Sequence, residues 1–239
     1  MSLLELQRVA KRYREDQLER VVLRDVSLSL DAGELALAWG LRGCGRSTLL
    51  RVAAGVEAPD AGVVCFDGRD LSSHGDELFG AGVGYCQRLL PSGSQVALEL
   101  VLMPLLASGV APAQARTRAR AALERTDAID CARRRLSALD TAETVRLSLA
   151  RVLAHEPRLI VIDDPIQGVE LLQRDGLLAL LRSLADDGLA VLASTTESTA
   201  LSGADRALTL SDGELRGLPH RQLAPVLPLR RAGGGRAGA

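Results

Sequence analysis

Residues 40–50 read GLRGCGRSTLL, and this stretch constrains the fold more than any other. Ahead of it runs Glu34–Trp39, apolar enough for a buried strand, and a helical pattern begins near Ser47. The glycines at 40, 43 and 45 permit a tight strand-to-helix turn that a residue with a Cβ resists. Such a turn points successive backbone N–H groups, and the positive end of the helix dipole, at one spot suited to a phosphate. The pattern GxxxxGK[ST] is met at every position but one, because Arg46 stands where lysine is expected. Arginine keeps the charge, but its planar fork is longer than an ammonium and favours bidentate oxyanion contacts. The exchange fits the composition: Lys11 is the only lysine among 29 basic residues. Ser47 is placed to ligate Mg²⁺, with Thr48 beside it.

The rest of the chain fits around this turn. Val21–Leu30, closed by Asp31-Ala32-Gly33, and Gly62–Phe66, closed by Asp67-Gly68, read as strands and hairpins. From Leu98 to Leu153 the spacing becomes helical and rich in Ala, Leu and Arg, punctuated by Pro104 and Pro112. Leu159–Ile162, Leu189–Ala193 and Ala207–Leu210 read as apolar strands, with an amphipathic helix over Leu171–Ala185. Strands alternating with helices predict a parallel sheet wrapped by helices. The last stretch, 217–239, holds Arg221, Arg230, Arg231 and Arg236, no acid, three prolines and the run Gly233-Gly234-Gly235, and is expected to be a disordered basic tail.

Composition narrows the function classes. The 239 residues suit one compact domain, or one domain carrying an insertion, rather than an ATPase fused to its own membrane bundle. A net charge of −1 argues against a nucleic-acid partner. No run approaches the ~20 apolar residues of a membrane span, and Glu5 and Arg8 interrupt any leader core, so a cytoplasmic location is expected. Cys44, Cys65, Cys86 and Cys131 lack CxxC spacing and read as small hydrophobes. His74, His155 and His220 show no ligand spacing, Arg42 reads as a solvated loop residue, and Arg116, Arg118 and Arg120 cannot share one helix face.

Over residues 1 to about 216 the chain resembles the ATP-binding subunits of ABC transporters. The likeness rests on Tyr13 in VAKRYRED, on VVLRDVSLSLDAGELALAWG leading into the glycine loop, and on AGVVCFDGRDL. It continues in Gln87 of VGYCQRLLP and in RLIVIDDP, Arg158–Pro165. SQVALELVLMPLLASG is similar to the subgroup serving lipoprotein-release and macrolide-export permeases. The resemblance implies an α/β P-loop NTPase core of RecA type, an antiparallel β subdomain and a helical insertion at about 89–146. It implies ATP and Mg²⁺ as ligands: adenine stacked on Tyr13, phosphates held by Gly40, Gly43, Gly45, Arg46, Ser47 and Thr48, and metal at Ser47, Gln87 and Asp163. Catalysis falls to Asp164 and Gln87. The implied setting is the inner face of the cell membrane, as a homodimer or as a heterodimer with another ABC ATPase, on a separate transmembrane permease.

The departures from that pattern sit where chemistry is done. Asp164 replaces the catalytic glutamate and retracts the carboxylate by ~1.5 Å, where a misplacement of ~1 Å can cost ~10²-fold in rate. Thr196, in VLASTTES, takes the place of the histidine that contacts the γ-phosphate, and a neutral hydroxyl gives up that charge stabilisation. The signature LSGGQ aligns with LDTAE, Leu139–Glu143. There Asp140 faces the phosphate held by the opposite subunit; like charges ~4 Å apart repel by about 4 kcal/mol at an effective dielectric of ~20, against ~1 kcal/mol for a neutral hydrogen bond. Asp140 followed by Glu143 also reads as a helix capping box, the favoured account. QGVE, Gln167–Glu170, replaces SGLD. These changes predict MgATP binding with weak hydrolysis; an active ATPase that tolerates them, or a catalytically dead scaffold or regulator, are the alternatives.

Overall fold

The computed structural model describes residues 2–15, 18–71, 82–86 and 95–218. Gln87 and His74 lie outside them, as do residues 219–239, which hold His220 and all four tail arginines.

Among the described residues the strands form two sheets. In the first, β1 (Leu4–Glu15) lies between β2 (Leu18–Leu30) and β4 (Ala61–Phe66), with β5 (Arg69–Asp70) at the edge, all antiparallel. The second takes in β3 (Leu35–Trp39), β6 (Val83–Cys86), β7 (Leu159–Ile162), β8 (Ala190–Thr195), β9 (Arg206–Ser211) and β10 (Glu214–Gly217), in the order β10-β9-β3-β8-β7-β6. It is parallel except for β10. The helices are α1 (Arg46–Ala53), α2 (Ala97–Ala107), α3 (Pro112–Arg125), α4 (Thr141–Leu153) and α5 (Leu171–Asp186).

Strands β7 and β8 are buried at every residue, as parallel strands covered on both faces must be. Alternation decides which layer each side chain enters. Ala36, Ala38, Leu159, Val161 and Leu192 pack with α1 and the antiparallel sheet; Leu35, Leu37, Ile160, Ile162 and Val191 pack with α2, α4 and α5. The glycine loop therefore emerges from the central region of the sheet, wedged between the two layers.

The strand runs around the loop and the Leu171–Ala185 helix are found as the sequence predicts, to within a few residues. The helical stretch divides into α2, α3 and α4, with two short 3-10 turns at Ile129–Cys131 and Leu136–Ala138 before α4. Pro112 opens α3, where its missing N–H costs nothing, whereas Pro104 lies inside α2 instead of punctuating it. Gly217 closes β10, and Leu218 donates its N–H to the Ala207 carbonyl at 2.8 Å. No helix of the described residues is long and apolar enough to cross a membrane.

Strand β1 has no counterpart in the sequence reading, for a physical reason. Its pairing with β2 shifts register three times between Leu6 and Arg12, and Arg8 adopts φ 49°. Each bulge breaks the two-residue alternation that betrays a strand. Gly62 sits opposite the bulge at φ 84°, and a Cβ there would lie 2.4 Å from the Arg8 carbonyl oxygen. Gly62→Ala is expected to cost about 3 kcal/mol through this clash and the positive φ, read as a lower urea midpoint with an unchanged slope.

Candidate functional site

Beyond Trp39 the Gly40 N–H donates to the Thr195 carbonyl at 3.3 Å, and the chain turns through Gly43 (φ 79°) and Gly45 (φ 106°), the N-cap of α1. A Cβ on Gly45 would lie 2.8 Å from Val22 Cγ1, and one on Gly40 would lie 2.6 Å from Cys44 Sγ. Both positions exclude any larger residue. The first helical bond runs from the Leu49 N–H to the Gly45 carbonyl at 2.8 Å, so the N–H groups of Arg46, Ser47 and Thr48 are the open donors of the first turn. They border a cleft of about 230 Å³ lined by Tyr13, Arg20, Val22, Gly43, Gly45, Arg46, Ser47 and Thr48. Open donors, a turn that only glycine can make and a concave wall together fit a phosphate-bearing ligand. Gly40 lines a neighbouring recess with Arg42 instead.

Tyr13 is anchored by its hydroxyl. That group donates to Glu57 Oε2 at 2.9 Å, accepts from Arg51 Nη2 at 3.1 Å and lies 3.3 Å from Thr48 Oγ1. Arg51 Nε pairs with Glu57 at 3.0 Å, and the Lys11 ammonium, 5.8 Å from the Tyr13 ring centre, bridges Glu57 and Asp60. Burial pushes the Glu57 carboxyl upward, but hydrogen bonds from Tyr13, Arg51 and Lys11 outweigh it and hold the group below its ordinary 4.5. Sequence reasoning missed Arg51, Glu57 and Asp60, because no local spacing links them to Tyr13. The network ties the ring to α1 and leaves its position in the cleft defined.

The carboxylates follow β7. Ser194 Oγ accepts the Asp164 N–H at 3.0 Å and donates to Asp163 Oδ1 at 2.5 Å. Asp164 has φ 47° and is buried. Its Oδ2 lies 3.5 Å from Arg46 Nη1 and 3.4 Å from Thr196 Oγ1, whose residue accepts the Trp39 indole N–H on its carbonyl at 3.1 Å. The structure thus brings Arg46, Asp164 and Thr196 together, with both members of the ion pair more than nine-tenths buried. Half-burial, then the nearby Asp163 charge, push the Tyr85 phenol upward. The cysteines are free, and burial pushes Cys86 up to about 12, in keeping with an inert hydrophobe.

The segment aligned with the signature is a helix start. Glu143 donates its N–H to Asp140 Oδ1 at 2.8 Å, and Asp140 donates its own to Glu143 Oε2 at 2.9 Å, a complete capping box. Gln173 of α5 and Arg134 extend it, the first at 3.3 Å to Asp140 Oδ2 and the second paired with Glu143. Arg174 holds the QGVE turn through the Val169 carbonyl at 2.8 Å and reaches Glu197 at 2.6 Å, next to Thr196. Arg118 and Arg120 make separate ion pairs, with Glu156 and Glu124.

A sequence profile described as ABC transporter matches residues 23–167 of the chain. The chain belongs to the ABC transporter family of ATP-binding cassettes. It is 34% identical over 237 residues to the macrolide export ATP-binding/permease protein MacB of Burkholderia pseudomallei, covering 95% of this chain and 36% of that protein. The cassette therefore spans about a third of the length of the curated relatives it matches. The dimeric structure of MJ0796, a bacterial ABC transporter cassette, superposes with a TM-score of 0.82 at 25% identity over 91% of this chain and 99% of that one. A nucleotide-free ATP-binding cassette from an ABC transporter shares the fold at 23% identity, with a TM-score of 0.80 over 93% of this chain and 94% of the other. The expected P-loop NTPase fold, with antiparallel and parallel sheets, is the one observed.

Two outcomes follow from the geometry of the cassette. Asp140→Ala should lower stability by about 1 kcal/mol by removing the cap, measured by urea unfolding. Glu57 binds protons less readily folded than unfolded, so its stabilisation is full above its ordinary 4.5 and is lost as pH falls through the lower folded value. In Glu57→Gln, unfolding free energy should therefore fall less steeply with acidification in that window than in the wild type.

Proposed function

We propose that the chain binds MgATP in the cleft between Tyr13 and the glycine loop, couples that binding to a separate membrane permease, and hydrolyses ATP slowly or not at all. Family membership supports the binding role; the buried contact between Arg46 and Asp164 carries the weak hydrolysis. Tyr13 offers its anchored ring to the base, the N–H groups of Arg46, Ser47 and Thr48 take phosphate oxygens, and Ser47 and Asp163 are the candidate metal ligands, with Gln87 outside the described residues. Among the described residues no group of three His, Cys, Asp or Glu could hold a metal unaided, and phosphate oxygens and water would supply the remaining ligands. Bound Mg²⁺ would neutralise charge on the terminal phosphates.

Hydrolysis needs a carboxylate free to orient a water. Asp164 is short for this task, held by Arg46 at 3.5 Å and turned toward the neutral Thr196 at 3.4 Å. Asp140, with both carboxylate oxygens committed within its own subunit, offers an opposite subunit's phosphate a negative group in place of a hydroxyl. The signature and catalytic positions are thus degraded together. A head-to-tail pair of these chains, or of this chain with another ABC ATPase, would bring the two weaknesses into play at its sites.

Trp39 is the only tryptophan and touches Thr196, which makes it a built-in reporter. Saturable quenching or enhancement by MgATP is expected, with phosphate release at background. Asp164→Asn should bind MgATP about tenfold more tightly, because a negative charge leaves the phosphate site and Arg46 is released, and should leave turnover unchanged. Measurable wild-type turnover abolished by Asp164→Asn would make Asp164 a working base and overturn the weak-hydrolysis reading. No binding in either the fluorescence titration or a labelled-nucleotide competition would leave a scaffold or regulator as the function.

A further inference from the structure

We propose that Arg20, which lies outside the glycine loop and outside every motif, is a phosphate-binding residue of this cleft and supplies the positive charge that Arg46 commits to Asp164. The inference rests on the reading that the cleft takes a nucleotide. Three observations carry it. First, the β1–β2 register sets Arg20 directly opposite Tyr13, so both side chains rise from one face of the sheet into the cleft they line. Second, Arg20 Nη2 donates to the Gly43 carbonyl at 2.9 Å, which carries the guanidinium across from β2 to the rim of the glycine loop. Third, the cleft's cations differ in what they face. Arg46 is buried against Asp164, and Arg51, behind Tyr13, is paired with Glu57, whereas Arg20 has no carboxylate partner among the described residues.

A guanidinium has five N–H donors in a fixed fork. One is taken by the Gly43 carbonyl, and the others remain for an oxyanion held against the same loop. A charge fixed there by a backbone contact loses little freedom on meeting a ligand. The loop's lysine position is thereby relieved of its role, which accounts for a buried arginine in that position pairing with an acid without emptying the cleft of positive charge.

The test uses the 239-residue chain, Trp39 fluorescence and competition with a labelled nucleotide. Arg20 is exposed, so its variants should fold as the wild type does. Arg20→Gln keeps a donor for the Gly43 carbonyl but loses the charge, and Arg20→Lys keeps the charge. Arg20→Gln should weaken MgATP and inorganic tripolyphosphate binding about tenfold or more while leaving adenosine unchanged, and Arg20→Lys should stay within about threefold. A merely structural tie to Gly43 would spare Arg20→Gln. Wild type that binds MgATP alongside an Arg20→Gln variant within twofold of it overturns this assignment alone, as does a loss confined to adenosine. Wild type that binds neither MgATP nor tripolyphosphate overturns the nucleotide reading itself, and this assignment with it.

Discussion

The contact between Gly45 and Val22 holds the two halves of the molecule in register. Val22 belongs to the antiparallel sheet and Gly45 caps the helix that leaves the parallel one, and with a Cβ at Gly45 the two would meet at 2.8 Å. Because a left-handed glycine stands there, α1 can sink its Leu49, Leu50 and Val52 between the sheets, each fully buried. The same closeness puts β2, and with it Arg20, beside the loop, and puts Tyr13 of β1 across from it. The cleft is therefore walled by residues of β1, β2 and the glycine loop that this packing brings together.

Within that frame two opposite charges face one another. Arg46 and Asp164 are too buried to stand alone, since an isolated charge there loses its hydration with no compensation. They lie 3.5 Å apart as an ion pair, and among the described residues Arg46 Nη1 makes no hydrogen bond. The pair is a poor source of stability, because the desolvation of two ions offsets most of their attraction. On the proposed reading its consequence is functional: a cation and an acid that would act separately on a phosphate and a water instead face one another.

How much of this was legible depends on the range over which each signal acts. The glycine loop, the buried strands β3, β7 and β8 and the Asp140 cap are local patterns, and each is found where the sequence places it. Strand β1 was lost because its bulges scramble the alternation. The Tyr13 network was lost because Glu57 and Arg51 reach it only through the fold, 44 and 38 residues along the chain. The Arg46–Asp164 contact was also hidden: the two substitutions could be read singly, but only the strand order, with β3 and β7 flanking β8, brings them within 3.5 Å.

That last point bears on how the altered positions relate. Read one at a time, Arg46, Asp164 and Thr196 are three separate losses. In space, Asp164 Oδ2 lies 3.5 Å from Arg46 Nη1 and 3.4 Å from Thr196 Oγ1, so an arginine with a longer reach than lysine, a shorter acid and a neutral hydroxyl form one cluster of direct neighbours. Restoring any one position alone would disturb it: a lysine at 46 gives up the reach, and a glutamate at 164 adds a methylene to a buried pocket. A packed arrangement of this kind resists stepwise reversal, because each single reversion meets a cost before the others can compensate. The glycine turn packs on Val22 and the anchored Tyr13 beside it is held through Glu57 and Arg51, so a change within the cluster leaves that wall of the cleft in place.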